Sequence, residues 1–289
     1  MGNTIELTKK YLDKTDEVFK QESKKTLLTN TDFDWTGAHS VLIWKISTAQ
    51  MNDYVRSANQ NNQESEVVQI SRFGSIQDLS AQTEELMLKK DRSFIYNIDK
   101  LDADETAQQV TAAETLSRQL REVVIPEVDT YTYGIMVNGA GTKETGVDLS
   151  EKNIYSEILK GSESLDDAEA PDTERVLAVT PAVYTMLKKA TEFDNTDVGA
   201  ELRQLGVVGI LDGMQVIKIP ASRLPEGFGF MIAHPSATVA PTKLEDYHIH
   251  QDTPLASGSI VTGRICYDAF VLDNKKKGIY YHSLNKAAV

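Results

Sequence analysis

Hydrophobic positions recur along this chain with two periods, one typical of helices and one typical of strands. The clearest helical period spans residues 102–138, where apolar side chains follow spacings of three and four. Asp102 and Glu105 form a capping-box pattern at its start, and a glycine-rich stretch ends it. Because Pro126 lacks a backbone N–H, the pattern predicts one long helix with a bend near Glu122.

Alternating positions predict two long strands before this helix, at residues 39–56 and 83–99. The segment between them is rich in Asn, Gln, Glu and Ser and has little to bury. The pattern therefore predicts an extended hairpin with a polar tip. Because an isolated two-stranded hairpin is marginally stable, we expect it to lie on a neighbouring subunit. Residues 4–25 predict a thin amphipathic helix that docks as an arm.

Shorter helices and strands alternate after residue 150. A helical face at 153–168 is interrupted by Gly161, and a helix is predicted to start at Thr180-Pro181 and to end near Ala190. Asp212-Gly213 lies between two apolar runs and predicts a two-residue β-hairpin. Further strands are predicted at 175–180, 228–233, 243–250, 259–272 and 278–283. The last two are expected to pair as a hairpin with a basic tip.

Composition and charge narrow the function classes. Hydrophobic residues make up 40% of the 289 residues and charged residues 25%, which is ordinary for a folded protein, and no apolar run is long enough for a membrane span. The net charge of −13 argues against nonspecific nucleic-acid binding, which needs a basic face. Cys266 is the only cysteine, so no internal disulfide can form. Its strand-like surroundings predict a buried, inert thiol in a protein made in a reducing cytosol.

Two histidines are the main candidates for chemistry. His248 and His250 share one face of a predicted strand, with Glu245 and Asp246 nearby, a set that zinc could use. No third ligand is marked, and the carboxylates of residues 163–174 lack EF-hand spacing, so they predict a solvated helix face. The sequence also has no phosphate-binding loop and no nucleophile elbow. We predict no catalytic, cofactor-binding or metal site; a metal-dependent hydrolase using His248, His250 and Glu245 is the enzymatic alternative.

Four segments resemble the major capsid proteins of tailed bacteriophages in their order and spacing. They are DRSF at 91–94, QLREVVIPEVD at 119–129, RVLAVTPA at 175–182 and GRICYDAFVLDNKKKGIY at 263–280. None of them is a catalytic motif, and with their spacing they cover most of the chain. The resemblance implies the Hong Kong 97-type capsid fold, which is an α+β fold, and a structural function without enzymatic activity.

The fold of that family implies a division of this chain into four parts. Residues 1–38 correspond to an N-terminal arm, and 39–100 to an extended β-hairpin called the E-loop. Residues 101–174 and 258–289 correspond to a peripheral domain with a long spine helix, and 175–257 to an α/β axial domain. The arm, the hairpin and the spine bend are the expected deformable joints, because one chain must fit both ring types of a shell.

The resemblance also implies the partners. Identical subunits are expected to form the pentamers and hexamers of an icosahedral shell that encloses double-stranded DNA without sequence-specific binding. The virion shell would be made in the bacterial host cytoplasm, with a separate scaffolding protein, a portal and possible decoration proteins as partners, and no membrane. Lys89 and Lys90 lie on the hairpin, but crosslinking to a neighbour is not expected. Two hypotheses compete with the phage shell: an encapsulin-like bacterial compartment shell protein and a plain interaction adaptor.

Overall fold

The computed structural model describes residues 23–30, 40–46, 51–54, 73, 81–101, 112–190, 207–251 and 257–284. It has an α+β fold, as the sequence predicts. The chain divides into two compact units, a smaller one of Gly37–Met87 and a larger one of Met1–Thr36 with Leu88–Val289. Most of the predicted helix at 4–25, and residues 102–111 of the predicted long helix, lie outside the described residues.

The smaller unit contains one pair of strands. β1 (Ser40–Ile46) runs antiparallel to β2 (Ala81–Met87), with Ser40 opposite Met87 and Ile46 opposite Ala81. This confirms the predicted pairing at the base of the hairpin. The polar segment between the two strands lies outside the described residues, except for 51–54 and 73.

The second predicted hairpin strand, 83–99, is two strands in the structure. β3 (Lys90–Asp99) follows β2 after two residues, but it pairs with residues 258–267 rather than with β1. The interruption has a physical cause, because the backbone N–H of Lys89 donates to Asp268 Oδ2 at 2.8 Å instead of to a strand partner. The hairpin prediction is therefore wrong for residues 90–99.

A helix of 28 residues is the longest in the described part of the chain. It consists of α1 (Ala112–Gln119), a π-helical turn (Leu120–Val124) and α2 (Ile125–Gly139). Pro126 has no N–H to donate to the carbonyl of Glu122. Glu122 lies in the π turn, which ends two residues before Pro126. The regular helix is thus disturbed at the position where the sequence predicts the bend.

Three long strands form an antiparallel sheet in the order β10 (Thr242–Gln251), β11 (Gly258–Tyr267) and β3. In the middle strand, Gly263 lies opposite Phe94 on one side and Tyr247 on the other. A side chain at Gly263 would collide with the ring of Phe94. The glycine therefore leaves room for the rings of Phe94 and Tyr247 to stack across β11, with centroids 6.2 Å apart.

The predicted hairpin between the last two strands is wrong. β11 pairs with β10 and β3, whereas β13 (Ile279–Ser283) pairs with strands of a second sheet. Between them, β12 (Phe270–Val271) pairs with β9 (Thr238–Val239), and Asp273–Gly278 forms a short 3₁₀ helix. The chain therefore passes from one sheet to the other instead of turning back on itself.

The second sheet is mixed and has six strands. In spatial order they are β4 (Thr142–Thr145), β13, β8 (Phe228–Ala233), β5 (Val176–Val179), β7 (Met214–Lys218) and β6 (Val207–Leu211). The strands predicted at 175–180 and 228–233 are confirmed. Because β4 and β13 belong to the predicted peripheral segments, strand pairing crosses the predicted domain boundaries, which remain predictions.

Helices cover both faces of the six-stranded sheet. Tyr133 and Met136 of α2 belong to the apolar cluster on one face, together with Leu28 from the N-terminal region. On the other face, Ile158 of α3 (Ile154–Asp167) and Leu187 of α4 (Pro181–Lys189) belong to a second cluster. The core of the larger unit is thus a helix–sheet–helix sandwich.

Local signals correctly predict the turns and caps of this sandwich. The hydroxyl of Thr180 accepts a hydrogen bond from the N–H of Val183 at 3.3 Å, and Pro181 is the first residue of α4. Asp212 and Gly213 have φ angles of 48° and 73°, as a type I′ turn between β6 and β7 requires.

Gly161 does not interrupt α3, contrary to the sequence prediction. A Cβ at this position would lie 2.8 Å from Ile232 Cδ1 and 2.9 Å from Tyr280 Cδ1. The missing side chain therefore allows the helix to approach the sheet closely, and the glycine serves packing rather than helix termination.

Candidate assembly site

Asp268 joins three parts of the larger unit. It is 3% exposed, and its carboxylate accepts hydrogen bonds from the backbone N–H of Lys89, the hydroxyl of Tyr131 and the backbone N–H of Ala269, each at 2.8 Å. Lys89 directly precedes β3 and Tyr131 lies on α2, so the carboxylate links the end of β11 to both. Burial, together with the bond to Asp268, raises the pKa of Tyr131 far above its usual range.

The long helix packs on the three-stranded sheet through an apolar cluster and a charged pair. Val128 of α2 packs with Ile265 and Tyr267 of β11. Beside them, Glu127 Oε1 accepts hydrogen bonds from the guanidinium of Arg92 at 2.7 Å and from the hydroxyl of Tyr267 at 3.2 Å. Burial, followed by the charge of Glu127, raises the pKa of Tyr267 to about 12. The helix is thus attached to both β3 and β11.

Residues 23–30, which we call the strap, contact the body of the same subunit. Leu28 is fully buried in the cluster that α2 shares with the sheet. The N–H of Asn30 donates to the carbonyl of Thr238 at 2.8 Å, and the ammonium of Lys24 donates to the carbonyl of Lys218 at 3.0 Å. The strap is the described part of the predicted arm.

The strap also reaches a buried ion pair. The hydroxyl of Ser23 donates to Asp129 Oδ1 at 2.6 Å, and the guanidinium of Arg223 donates to Asp129 Oδ2 at 2.9 Å. Burial raises the pKa of Asp129, although both partners oppose that rise. Removing one member of a buried pair is strongly destabilising, so these bonds fix the strap, α2 and the sandwich together.

Four exposed large apolar side chains lie in the described part of the smaller unit, one of them Met87 at the end of β2. Met51 is fully exposed, Tyr54 is half exposed and Phe73 is 76% exposed. The rings of Tyr54 and Phe73 meet edge to face with centroids 5.1 Å apart. Because exposed apolar patches mark interaction surfaces, this pair is a candidate contact for another molecule.

The structure places His248 and His250 on one exposed face of β10, as the sequence predicts. Their ring centroids are 5.8 Å apart, and His248 Nε2 lies 2.7 Å from Asp246 Oδ1. Glu245 belongs to the opposite face of the strand, because successive side chains alternate. Within the described ranges, no three His, Cys, Asp or Glu side chains are grouped as a metal site. The structure does not bring together the set that the hydrolase alternative uses.

The remaining sequence candidates occupy structural positions. Cys266 is half-buried on β11. Lys90 is the first residue of β3, and Lys89 directly precedes it. In the acidic segment, Asp166 pairs with the buried guanidinium of Arg175 at 2.6 Å, so this carboxylate is not merely solvated. The predictions of no catalytic, cofactor-binding or metal site remain predictions. Among the helices of the described part, none is long and apolar enough to cross a membrane.

Sequence reasoning does not single out Asp129, Arg223 or Asp268. Their side chains form the hydrogen bonds described above with groups that lie between 94 and 179 residues away along the chain. No local spacing marks such residues, because a carboxylate on a helix or at a strand end is usually solvated. Only the tertiary structure reveals them as junctions.

Comparison with solved structures defines the class of fold. No protein-family model matches the sequence, and no curated protein matches it. A structure from Mycobacterium phage Che8 matches 100% of this chain and 100% of its own, with a TM-score of 0.74 and 17% identity. The capsid structure of cyanophage P-SCSP1u matches 98% of this chain and 94% of its own, with a TM-score of 0.70 and 12% identity.

A third structure, the asymmetric unit of the bacteriophage PhiM1 mature capsid, matches 98% of this chain and 93% of its own, with a TM-score of 0.71 and 13% identity. The chain therefore has the fold of tailed-phage capsid proteins. This is the fold that the four sequence segments imply.

Proposed function

We propose that this chain is the major capsid protein of a tailed bacteriophage, with a structural role and no enzymatic activity. The observation that carries the proposal is the match of 98–100% of the chain to phage structures, two of them capsids, at TM-scores of 0.70–0.74. A fold alone does not define a function. Here the resemblance of four sequence segments to the same class of protein supports the same conclusion.

We assign the parts of the Hong Kong 97-type fold as follows. The strap is part of the N-terminal arm, residues 1–38, and the unit Gly37–Met87 contains most of the E-loop, residues 39–100. The helix of residues 112–139 is the spine of the peripheral domain and packs on the three-stranded sheet. The axial domain, residues 175–257, supplies α4 and four strands of the six-stranded sheet, and β4, β13 and α3 of the peripheral segments complete that layer.

In this proposal, identical copies form the pentamers and hexamers of an icosahedral shell around double-stranded DNA. The exposed rings of Tyr54 and Phe73 supply apolar surface that a neighbouring subunit buries. The net charge of −13 supports a shell interior that is not basic and encloses DNA without gripping its phosphates. A separate scaffolding protein, a portal and decoration proteins are the further partners of this virion component.

The test is assembly of the chain co-expressed with the genes that flank its own. Electron microscopy and light scattering should show closed, uniform shells. Phe73→Ser should reduce the yield of shells strongly while leaving the circular dichroism and thermal unfolding of the unassembled subunit unchanged, because Phe73 is exposed. Ile95→Ser is the matched control, since Ile95 is 70% exposed but lies outside the smaller unit.

Two outcomes would contradict the proposal. Only monomers or small oligomers, despite the flanking genes, would point to an interaction adaptor. Shells that contain a cargo enzyme, with no portal or terminase gene next to the coding sequence, would identify an encapsulin-like compartment.

A further inference from the structure

One face of the three-stranded sheet is directed away from the long helix. Ile265 and Tyr267 of β11 pack on α2, and the antiparallel register aligns Ile265 with Glu245 of β10 and Arg92 of β3. Because side chains alternate along a strand, the intervening positions belong to the opposite face. In β10 these positions are 246, 248 and 250, and all three residues are exposed. This face, to which the proposed capsid function assigns no role, carries two imidazoles side by side.

The two imidazoles have the separation that a shared metal ion needs. Side chains two positions apart on a strand start roughly 6.6–6.8 Å from each other, and the ring centroids here are 5.8 Å apart with their planes tilted by 43°. Each Nε2 makes one contact, His248 with Asp246 Oδ1 at 2.7 Å and His250 with Thr262 Oγ1 at 3.1 Å. Both imidazoles are exposed, and Asp246 is exposed while Thr262 is partly buried, so a bond to a cation can replace either contact.

The charges around the pair also suit a cation. The carboxylate of Asp246 lies beside His248 and contributes a negative charge. A strong positive charge, Arg264, lies opposite Asp246 on β11. Its guanidinium is bound by both carboxylate oxygens of Asp91, at 3.0 Å and 2.6 Å, which offsets its repulsion of a bound metal ion.

In contrast to the sequence-based prediction of no metal site, we infer that His248 and His250 form a chelating site for a late first-row divalent cation such as Zn²⁺, Ni²⁺ or Cu²⁺. Imidazole nitrogens suit these ions, whereas Mg²⁺ and Ca²⁺ prefer oxygen ligands. Asp246 balances the charge, and water completes the coordination. The site is a surface chelate and not a hydrolase centre, because Glu245 lies on the other face of β10 and the described residues hold no group of three ligands.

The binding test uses the complete chain without an affinity tag, titrated with ZnCl₂ in an isothermal calorimeter. We expect one Zn²⁺ per chain at this site and no competition from excess MgCl₂. Since loss of an outer-sphere partner alone weakens metal binding 10–100-fold, His248→Ala and His250→Ala should each weaken Zn²⁺ binding by at least about tenfold. Glu245→Gln is the matched control on the opposite face and should bind Zn²⁺ like the unaltered chain.

Electron paramagnetic resonance of the CuCl₂-loaded chain locates the site independently. Coupling to two imidazole nitrogens is expected for the unaltered chain, and coupling to one nitrogen for each single-histidine variant. The inference is overturned if Zn²⁺ does not bind, or if both single variants bind Zn²⁺ as tightly as the unaltered chain. All three substituted side chains are exposed, so circular dichroism should confirm that the variants fold.

Discussion

Asp268→Asn tests whether one carboxylate holds the larger unit together at its junction. Oδ1 of Asp268 accepts hydrogen bonds from Tyr131 and Ala269, and Oδ2 accepts from Lys89. An asparagine can keep its carbonyl oxygen toward the first two donors, but its NH₂ group then faces the N–H of Lys89. The substitution therefore removes one hydrogen bond to a charged acceptor and leaves a backbone donor unsatisfied.

The magnitude follows from that loss. A hydrogen bond to a charged group contributes about 1.5–3 kcal/mol, and an unsatisfied donor adds a desolvation cost. We expect Asp268→Asn to lower the free energy of unfolding by about 2–4 kcal/mol. Urea denaturation of unassembled subunits, followed by circular dichroism, measures it. Asp273→Asn is the control, because Asp273 pairs with Lys276 at an exposed position and its loss should cost less than about 1 kcal/mol.

A double-mutant cycle separates this junction from a general effect of charge removal. Tyr131→Phe deletes the hydroxyl that donates to Asp268 and nothing else. In Asp268→Asn the hydroxyl of Tyr131 still donates, but to a neutral oxygen instead of a charged one. The two substitutions should therefore couple by about 1 kcal/mol, the difference between a hydrogen bond to a charged acceptor and one to a neutral acceptor. If Asp268→Asn is as mild as Asp273→Asn, or if the cycle shows no coupling, the carboxylate does not act as a junction.

Two further predictions concern the six-stranded sheet. Gly161→Ala should destabilise the subunit by about 1–3 kcal/mol through the close contact with Ile232, whereas Gly134→Ala, where a Cβ meets nothing within 4 Å, should stabilise it by about 0.5–1 kcal/mol in the same urea assay. Equal effects of the two substitutions would contradict the packing role of Gly161. Burial lowers the pKa of His282, although Glu157 and Glu144 oppose the shift, so protonation favours the unfolded state. The contribution of neutral His282 to the free energy of unfolding should be complete above the unfolded-state pKa of about 6.5 and should decrease as pH falls below that value. His282→Phe should therefore reduce the dependence of the free energy of unfolding on pH between about pH 7 and pH 5. An unchanged slope in the variant would show that His282 does not cause this dependence.

The sequence correctly predicts those helix starts and turns that depend only on neighbouring residues. Thr180-Pro181 specifies a helix start and Asp212-Gly213 specifies a tight turn, because each needs only the backbone geometry of adjacent residues. The common face of His248 and His250 follows equally from strand alternation. The same alternation places Glu245 on the other face, so the sequence already contained the argument against the hydrolase alternative.

Pairing between distant strands could not be predicted in this way. The sequence predicts strands at 259–272 and 278–283. It does not identify their partners, because any apolar strand offers nearly the same hydrophobic surface for pairing. The break before β3 depends on Asp268, which is 179 residues from Lys89. The role of Gly161 could not be predicted for the same reason. A glycine within a helical pattern suggests an interruption of the helix, and only the tertiary structure shows the sheet residues that pack against it.

In each of the two larger sheets, an edge strand pairs with a strand that is synthesised much later. β11 joins β10 to β3, and β13 joins β4 to β8. During translation, β3 therefore has no strand partner until residues 258–267 have been synthesised, and β4 has none until residues 279–283 have been synthesised. Pairing over such long sequence separations is slow. If the subunit assembles into a shell, as proposed, the late pairing of these strands prevents the nascent chain from assembling until nearly all described residues have been translated. Synthesis of the subunit is then separated in time from growth of the shell.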